Sequence, residues 1–356
     1  MSDTNYSTQD NLKNQTLLSH RQREKKRFVL LIGFMAMCFI SLVLDLTNGP
    51  AGGLISSLDV LKALLHLEGV DTFTSTIVND LRLPAALMAL VAGAALGAGG
   101  AEIQTLLNNP MASPYTLGMA AAAGFGAALV IVFGGFGLPA YIAQPIMAFV
   151  MTMLASGVMF AFAAMRRFSS ATLVLVGISL LFLFQSGSSL IQYLSTPEDS
   201  QKILFWLFGS LSKATHTTLA ITTCITAICL WLLYQSAWQL TALRLGESRA
   251  ISLGINLTRL RLKVLVIVAI MTATVISFIG TIGFIGLVSP HVARTLVGED
   301  QRYFLPASAL CGAAFLSCAS VLSETLKPGA IFPIGIITSI IGVPFFFWII
   351  LSKRGH

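Results

Sequence analysis

The chain has 356 residues, 55% of them hydrophobic and only 10% charged, against roughly 25% charged in an average soluble domain. Repeated apolar runs near the length of a bilayer-spanning helix exclude a water-soluble globule, and their continuity excludes the alternating strands of an outer-membrane barrel. The net charge of +7 follows from where Lys and Arg are placed and is no nucleic-acid footprint, so nucleic acid is not an expected partner.

Residues 1–27 are polar and basic, ending in Arg21, Arg23, Lys25, Lys26 and Arg27, and read as a disordered cytosolic tail. The apolar run that follows has no clean small-residue cleavage site and reads as a first transmembrane helix rather than a signal peptide. An all-α polytopic membrane protein of about ten transmembrane helices is predicted, because a helix satisfies its own backbone hydrogen bonds in lipid. The spans fall at about 28–46, 83–103, 114–133, 142–165, 171–194, 216–235, 263–282, 284–297, 305–323 and 335–351. The eighth is short, and Gly283, Gly286 and Pro290 are expected to break it into a half-helix. The outer segment 47–80 has the pattern of a surface helix around Leu58–Leu67.

An even number of spans puts both termini on one side. That side carries 17 of the 22 Lys and Arg residues, which places both termini in the cytosol. The second span repeats small residues every four positions at Ala89, Gly93, Gly97 and Ala101, and the third does so at Ala120, Gly124 and Ala128. Such ladders let helix backbones approach closely in lipid.

No Asp, Glu, Lys or Arg lies near the middle of a predicted span. Asp45 and Glu324 fall at outer ends, and Glu102 falls at an inner end, where a basic residue of the cytosolic rim is its expected partner. Carriers driven by ion gradients usually need buried charges on their path, so any uphill transport would draw on energy from outside the chain. No phosphate-binding Gly-x-x-x-x-Gly-Lys-Ser/Thr loop is present to supply it. The five cysteines (Cys38, Cys224, Cys229, Cys311 and Cys318) sit in apolar runs without metal-ligand spacing, so neither a metal nor a cofactor is expected. One enzymatic alternative is an intramembrane serine hydrolase using Ser179, in Gly177-Ile178-Ser179, and His291. It requires the two side chains within hydrogen-bond reach of each other.

Residues 236–263 form a basic loop between two apolar runs, long enough for folded structure of its own. Gly246 and Gly254 bracket a short helical stretch from Glu247 to Leu253. Gly254 can take the left-handed conformation that stops a helix, and Glu247 suits a helix start. Leu245, Ala250, Ile251 and Leu253 offer an apolar knob for a groove on a partner.

The ordered motifs resemble those of one family: the permeases of ATP-binding-cassette (ABC) importers for ferric siderophores, haem and vitamin B12, the FecCD-like type II importers. They begin with Arg82-Leu83-Pro84, Gly93-Ala94-Ala95-Leu96, Gln104 and Asn109-Pro110-Met111-Ala112-Ser113-Pro114. Trp206-Leu207-Phe208-Gly209 and Leu245-Gly246-Glu247 follow, and then Gly283-Phe284 through Ser289-Pro290-His291-Val292-Ala293-Arg294 and Gly342-Val343-Pro344. The similarity covers about residues 55–351 in the family's order.

The resemblance implies a vitamin B12 permease-like bundle at residues 28–352, residing in the bacterial cytoplasmic (inner) membrane. It implies a second permease copy or paralogue, a cytosolic ABC ATPase dimer that consumes the ATP, and a periplasmic or lipid-anchored substrate-binding protein. A ferric siderophore is the expected cargo, with haem, cobalamin or molybdate as alternatives. The positions matching the family's ATPase-coupling segment are Leu245, Gly246, Glu247, Ala250, Leu253 and Gly254. For docking the binding protein, the resemblance points to Arg82 and, in place of a later arginine, Lys327. The family's second arginine position here is Ala85, which implies fewer ion pairs at that contact.

Overall fold

The computed structural model describes residues 3–49, 53–165, 170–326 and 332–352. Among them all regular structure is helical. In chain order the helices are α1 (Asp3–Thr47), α2 (Ser57–Leu64), α3 (Thr72–Thr76), α4 (Leu83–Leu107) and α5 (Met119–Phe133). Next come α6 (Ala140–Met165), α7 (Ser170–Leu194), α8 (Pro197–Leu207), α9 (His216–Tyr234) and α10 (Ala237–Leu243). The last are α11 (Glu247–Ser252), α12 (Leu257–Ile279), α13 (Ile285–Val297), α14 (Gln301–Thr325) and α15 (Ile334–Ser352).

Each expected span coincides with a helix: α1, α4 to α7, α9 and α12 to α15. Seven described helical stretches are long and apolar enough to cross a bilayer, while α5 and the described part of α15 are shorter apolar helices. Three boundaries differ from the sequence reading. Helix α1 starts at Asp3, so the tail at 3–27 continues the first span as helix; adding a turn to an existing helix avoids the cost of nucleation. Helix α12 starts at Leu257 because the Asn256 side chain accepts a hydrogen bond from the Arg259 amide, a helix N-cap. The eighth span is a half-helix of 13 residues, but Pro290 lies inside it. The break comes earlier, at Gly280–Phe284, where Gly280 (φ +80°) and Phe284 (φ +66°) take left-handed backbone conformations.

Helix α4 is the centre of the bundle, packed against α14, α13, α12 and α9. Its ladder works as the sequence suggests. A methyl group at Gly93 would overlap the Gly312 carbonyl of α14, one at Gly97 would overlap the Ser308 carbonyl, and one at Gly100 would overlap the Gly286 carbonyl of α13. In the third span the close approach is offset: Gly126 meets the Met147 backbone of α6, while Gly124 faces Leu207. Between the first and second spans, α2 covers the expected surface-helix region and buries Val60 and Ala63.

Overpacking a tight interface costs about 1–3 kcal/mol. Gly93→Val is therefore expected to lower the thermal unfolding temperature of the detergent-purified protein. Gly33→Val is expected to leave it unchanged, because no atom lies within 4 Å of the position its β-carbon would take.

Candidate functional sites: a cytosolic knob and a central cavity

The basic loop folds into α10, a turn, and α11. Gly246 (φ +108°) and Gly254 (φ +79°) bracket α11 in backbone conformations that favour glycine, and no neighbour lies within 4 Å of either β-carbon position. The glycines are thus required by backbone geometry, not by space. Two contacts hold α11 against the bundle. Ala250 is fully buried beneath it, and Glu247 pairs with Arg261 of α12 at 2.5 Å. Arg261 is itself only 7% exposed, whereas its partner is 61% exposed. On the opposite side Leu245, Ile251 and Leu253 are 58%, 60% and 57% exposed.

This arrangement divides the residues singled out from the sequence. Leu245 and Leu253 are presented outward together with Ile251, and Gly246 and Gly254 shape the turns. Ala250 faces back into the protein, so it is a foot of the knob and not part of its tip, and Glu247, though largely exposed, reaches across to Arg261. Arg261 anchors α11, and Lys263 donates a 2.8 Å hydrogen bond to the Ser236 hydroxyl before α10.

Polar side chains connect the knob to the bundle. Arg244, which follows α10, donates to Asn108 Oδ1 at 2.9 Å and also bonds Glu299 in the α13–α14 turn. Arg294 of α13 lies 3.5 Å from the same Glu299 carboxylate and donates to Gln104 Oε1 of α4 at 3.1 Å. Partial burial shifts the Arg244 guanidinium below its ordinary pKa, since desolvation disfavours charge. At the start of α14, the Asp300 carboxyl bonds the Arg302 side chain, which holds it below the usual carboxylate range. Gln301 Nε2 donates to Thr105 Oγ1 of α4 at 2.7 Å.

A second feature is a cavity of about 670 Å³ lined by the segment before α5, by α7, α13 and α15 and by the loops joining them. Its polar groups are hydroxyls and one amide, from residues such as Ser113, Thr116, Gln185, Ser188 and Ser339. Leu181, Phe208, Phe284 and Ile340 supply apolar wall, and among the described residues no charged side chain lines it. Phe284 caps α13 in the left-handed region, which is rare for a bulky residue. Its ring packs on Gly342 of α15, where a β-carbon would come within 2.6 Å of Phe284 Cβ.

On the outer side, Arg82 is buried at 7% exposure. Its guanidinium donates to the Leu46 carbonyl at 3.0 Å and the Gly53 carbonyl at 2.7 Å, and Asp45 and Glu324 are the carboxylates whose charges act on it. It holds the segment after α1 and does not project a free fork outward. Lys327 lies outside the described residues. Glu102, expected to pair at the cytosolic rim, is instead fully buried, with no hydrogen bond to either carboxyl oxygen among the described residues; nothing in the structure explains it. The Ser179 hydroxyl donates to the Leu175 carbonyl of its own helix at 2.9 Å and is exposed on the flank of α7, the usual fate of a membrane-helix serine and not the setting of a nucleophile.

The bundle of long apolar helices, with a half-helix and short connecting helices, is that of a helical membrane protein. Residues 29–352 match the model of the FecCD transport family. The hemin transport system permease protein of Yersinia pestis is 34% identical over 91% of this chain and 96% of its own length. The vitamin B12 import system permease protein of Vibrio parahaemolyticus serotype O3:K6 is 31% identical over 83% and 92%. The Fe(3+)-citrate import system permease protein of Bacillus subtilis is 32% identical over 92% and 96%. A solved structure of a metal-chelate type ABC transporter in an inward-facing conformation superposes with a TM-score of 0.80. It is 28% identical and covers 90% of this chain and 98% of that one. The chain belongs to the FecCD transport family: it is the permease subunit of an ABC importer and not an enzyme, which removes the serine hydrolase alternative.

Removing the Arg261 anchor should loosen α11 alone. A partly exposed ion pair is worth up to about 1 kcal/mol, so Arg261→Gln is expected to speed amide hydrogen exchange in α11 by about fivefold while the amides of α4 and α14 keep their protection.

Proposed function

We propose that the chain moves a ferric siderophore across the bacterial cytoplasmic membrane as one of two permease copies or paralogues. Two cytosolic ATPases would supply the energy, and an outer-face binding protein, periplasmic or lipid-anchored, would deliver the cargo. ATP binding closes the ATPases and displaces the knob Leu245–Gly254, and the bundle switches which side of the membrane its cavity faces. The observation that carries this reading is the knob itself: apolar side chains held outward on a short helix whose back is fastened by Ala250 and by the Glu247–Arg261 pair. An apolar face presented by a fixed helix suits a groove on a partner. Cavity chemistry favours the cargo assignment. A chelate encloses the charge of its metal and needs only hydroxyl and amide walls, whereas a bare oxyanion such as molybdate calls for cationic donors, and the described residues of the wall include none. Haem and cobalamin satisfy the same wall chemistry, and relatives named for hemin and vitamin B12 keep them as the second reading.

For the outer partner, we propose that Arg82 acts by holding the Leu46 and Gly53 carbonyls, with Lys327 as the direct cationic contact. Replacing a bidentate fork by one ammonium makes that contact weaker and more salt-dependent.

Leu245→Asp with Leu253→Asp is expected to weaken binding of the partner ATPase more than tenfold, since charging two apolar contacts costs at least about 1.4 kcal/mol. Co-purification and ATPase titration in detergent measure it. Undiminished binding would remove the knob as the ATPase contact.

A further inference from the structure

Glu299 occupies an unusual position among the charged groups of the cytosolic face. Its carboxylate bonds Arg244, the residue immediately before the knob, and lies 3.5 Å from Arg294 near the C-terminus of α13. Each arginine is fixed by a further partner at the end of α4: Arg244 by Oδ1 of Asn108, which caps the helix, and Arg294 by Gln104 Oε1. Gln104 in turn donates to the Leu287 carbonyl, at the other end of α13, at 3.4 Å. The Arg294 guanidinium also stacks 5.1 Å from the centre of the Phe304 ring of α14. One carboxylate therefore holds together two guanidiniums that would otherwise repel.

Helix α13 leads from this cluster to the cavity. It is a single rod of 13 residues, about 20 Å at the rise of an α-helix. Its cavity end is Phe284, strained into the left-handed region and set against Gly342. On the far side of Phe284 the chain is non-helical back to Gly280, so the rod is connected to α12 by irregular backbone. A strained residue that persists at a cavity wall is the kind of element that can rest in two arrangements.

We infer that Glu299 is a positioning residue for transport: it joins the knob to α13, so that displacement of the knob moves α13 and with it the Phe284 wall of the cavity. This rests on the reading of Leu245–Gly254 as the ATPase contact. Neutralising Glu299 leaves Arg244 and Arg294 facing each other without their shared anion, and the knob then moves without carrying α13. Glu299 touches neither cargo nor nucleotide in this role. It acts through the two arginines.

The test uses the permease assembled with its ATPase in lipid vesicles, carrying Ser339→Cys in the cavity and Cys224→Ser to remove the one exposed native thiol among the described cysteines. The readout is the rate of maleimide labelling with and without ATP and vanadate. With Glu299 present, nucleotide changes the rate several-fold. In Glu299→Gln the ratio falls to about 1, and Glu299→Asp restores most of it, since the charge is kept. A merely structural staple would lower the unfolding temperature of Glu299→Gln and leave the ratio intact, and that result would overturn the inference. If Glu299→Gln fails to assemble, Arg294→Gln detaches α13 while leaving the Arg244–Glu299 bond: loss of the response supports the inference, and its retention overturns it. A complex with Glu299 intact that shows no nucleotide response would instead count against the ATPase-contact reading itself.

Discussion

Helix α4 meets α14 and α13 backbone to backbone at Gly93, Gly97 and Gly100, and the placement of both functional regions follows from that contact. In lipid no hydrophobic force draws two helices together, so close approach of their backbones must supply the attraction through dispersion and weak polar contacts. Small residues on both partners make this possible: Gly312 and Ser308 on α14, Gly286 on α13. With these three helices locked in register, the cytosolic ends of α4 and α13 lie side by side, and Gln104, Asn108 and Arg294 can form one network. The same register sets the start of α13 against α15 at the cavity wall.

The cytosolic knob shows how a surface can be both exposed and rigid. Three large apolar side chains face solvent, which is costly for an isolated chain. The backbone that carries them is fastened by a buried methyl group, a nearly buried arginine and two glycines in left-handed turns. A loose loop with the same side chains would lose ordering entropy on meeting a partner; this one has already been ordered by folding. The central cavity has the opposite character. Its described wall is apolar with scattered hydroxyls and one amide, and carries no charged side chain.

Much of this was legible in the sequence. The apolar runs located ten helices, seven of them in stretches long and apolar enough to cross a bilayer, the four-residue spacing of Gly93 and Gly97 marked the tight interface, and Gly246 and Gly254 marked the ends of α11. What escaped was contact made by residues distant in the chain. Ala250 read as part of an apolar knob, yet a six-residue helix has only one outward side, and Ala250 is on the other. The resemblance pointed to Arg82 as a docking cation, but the carbonyls that capture it belong to Leu46, at the end of α1, and Gly53, in the chain beyond it, and no local pattern reveals that contact. Glu299 gave no signal beyond its place in a charged turn, since its partners come from positions 244 and 294. Phe284 was hidden for another reason: glycine is the residue that announces a left-handed turn, and here a phenylalanine occupies it.

The central claim is that the bundle presents Leu245–Gly254 to the ATPase as its principal contact. It is tested most directly by placing a photo-crosslinking side chain at Ile251, at the tip of the knob, and a matched one at Phe28, also exposed, on α1. Both are then irradiated in membranes that hold the whole importer. An adduct between position 251 and the ATPase, with none from position 28, is the predicted result. Adducts that form from position 28 and not from position 251 would contradict it.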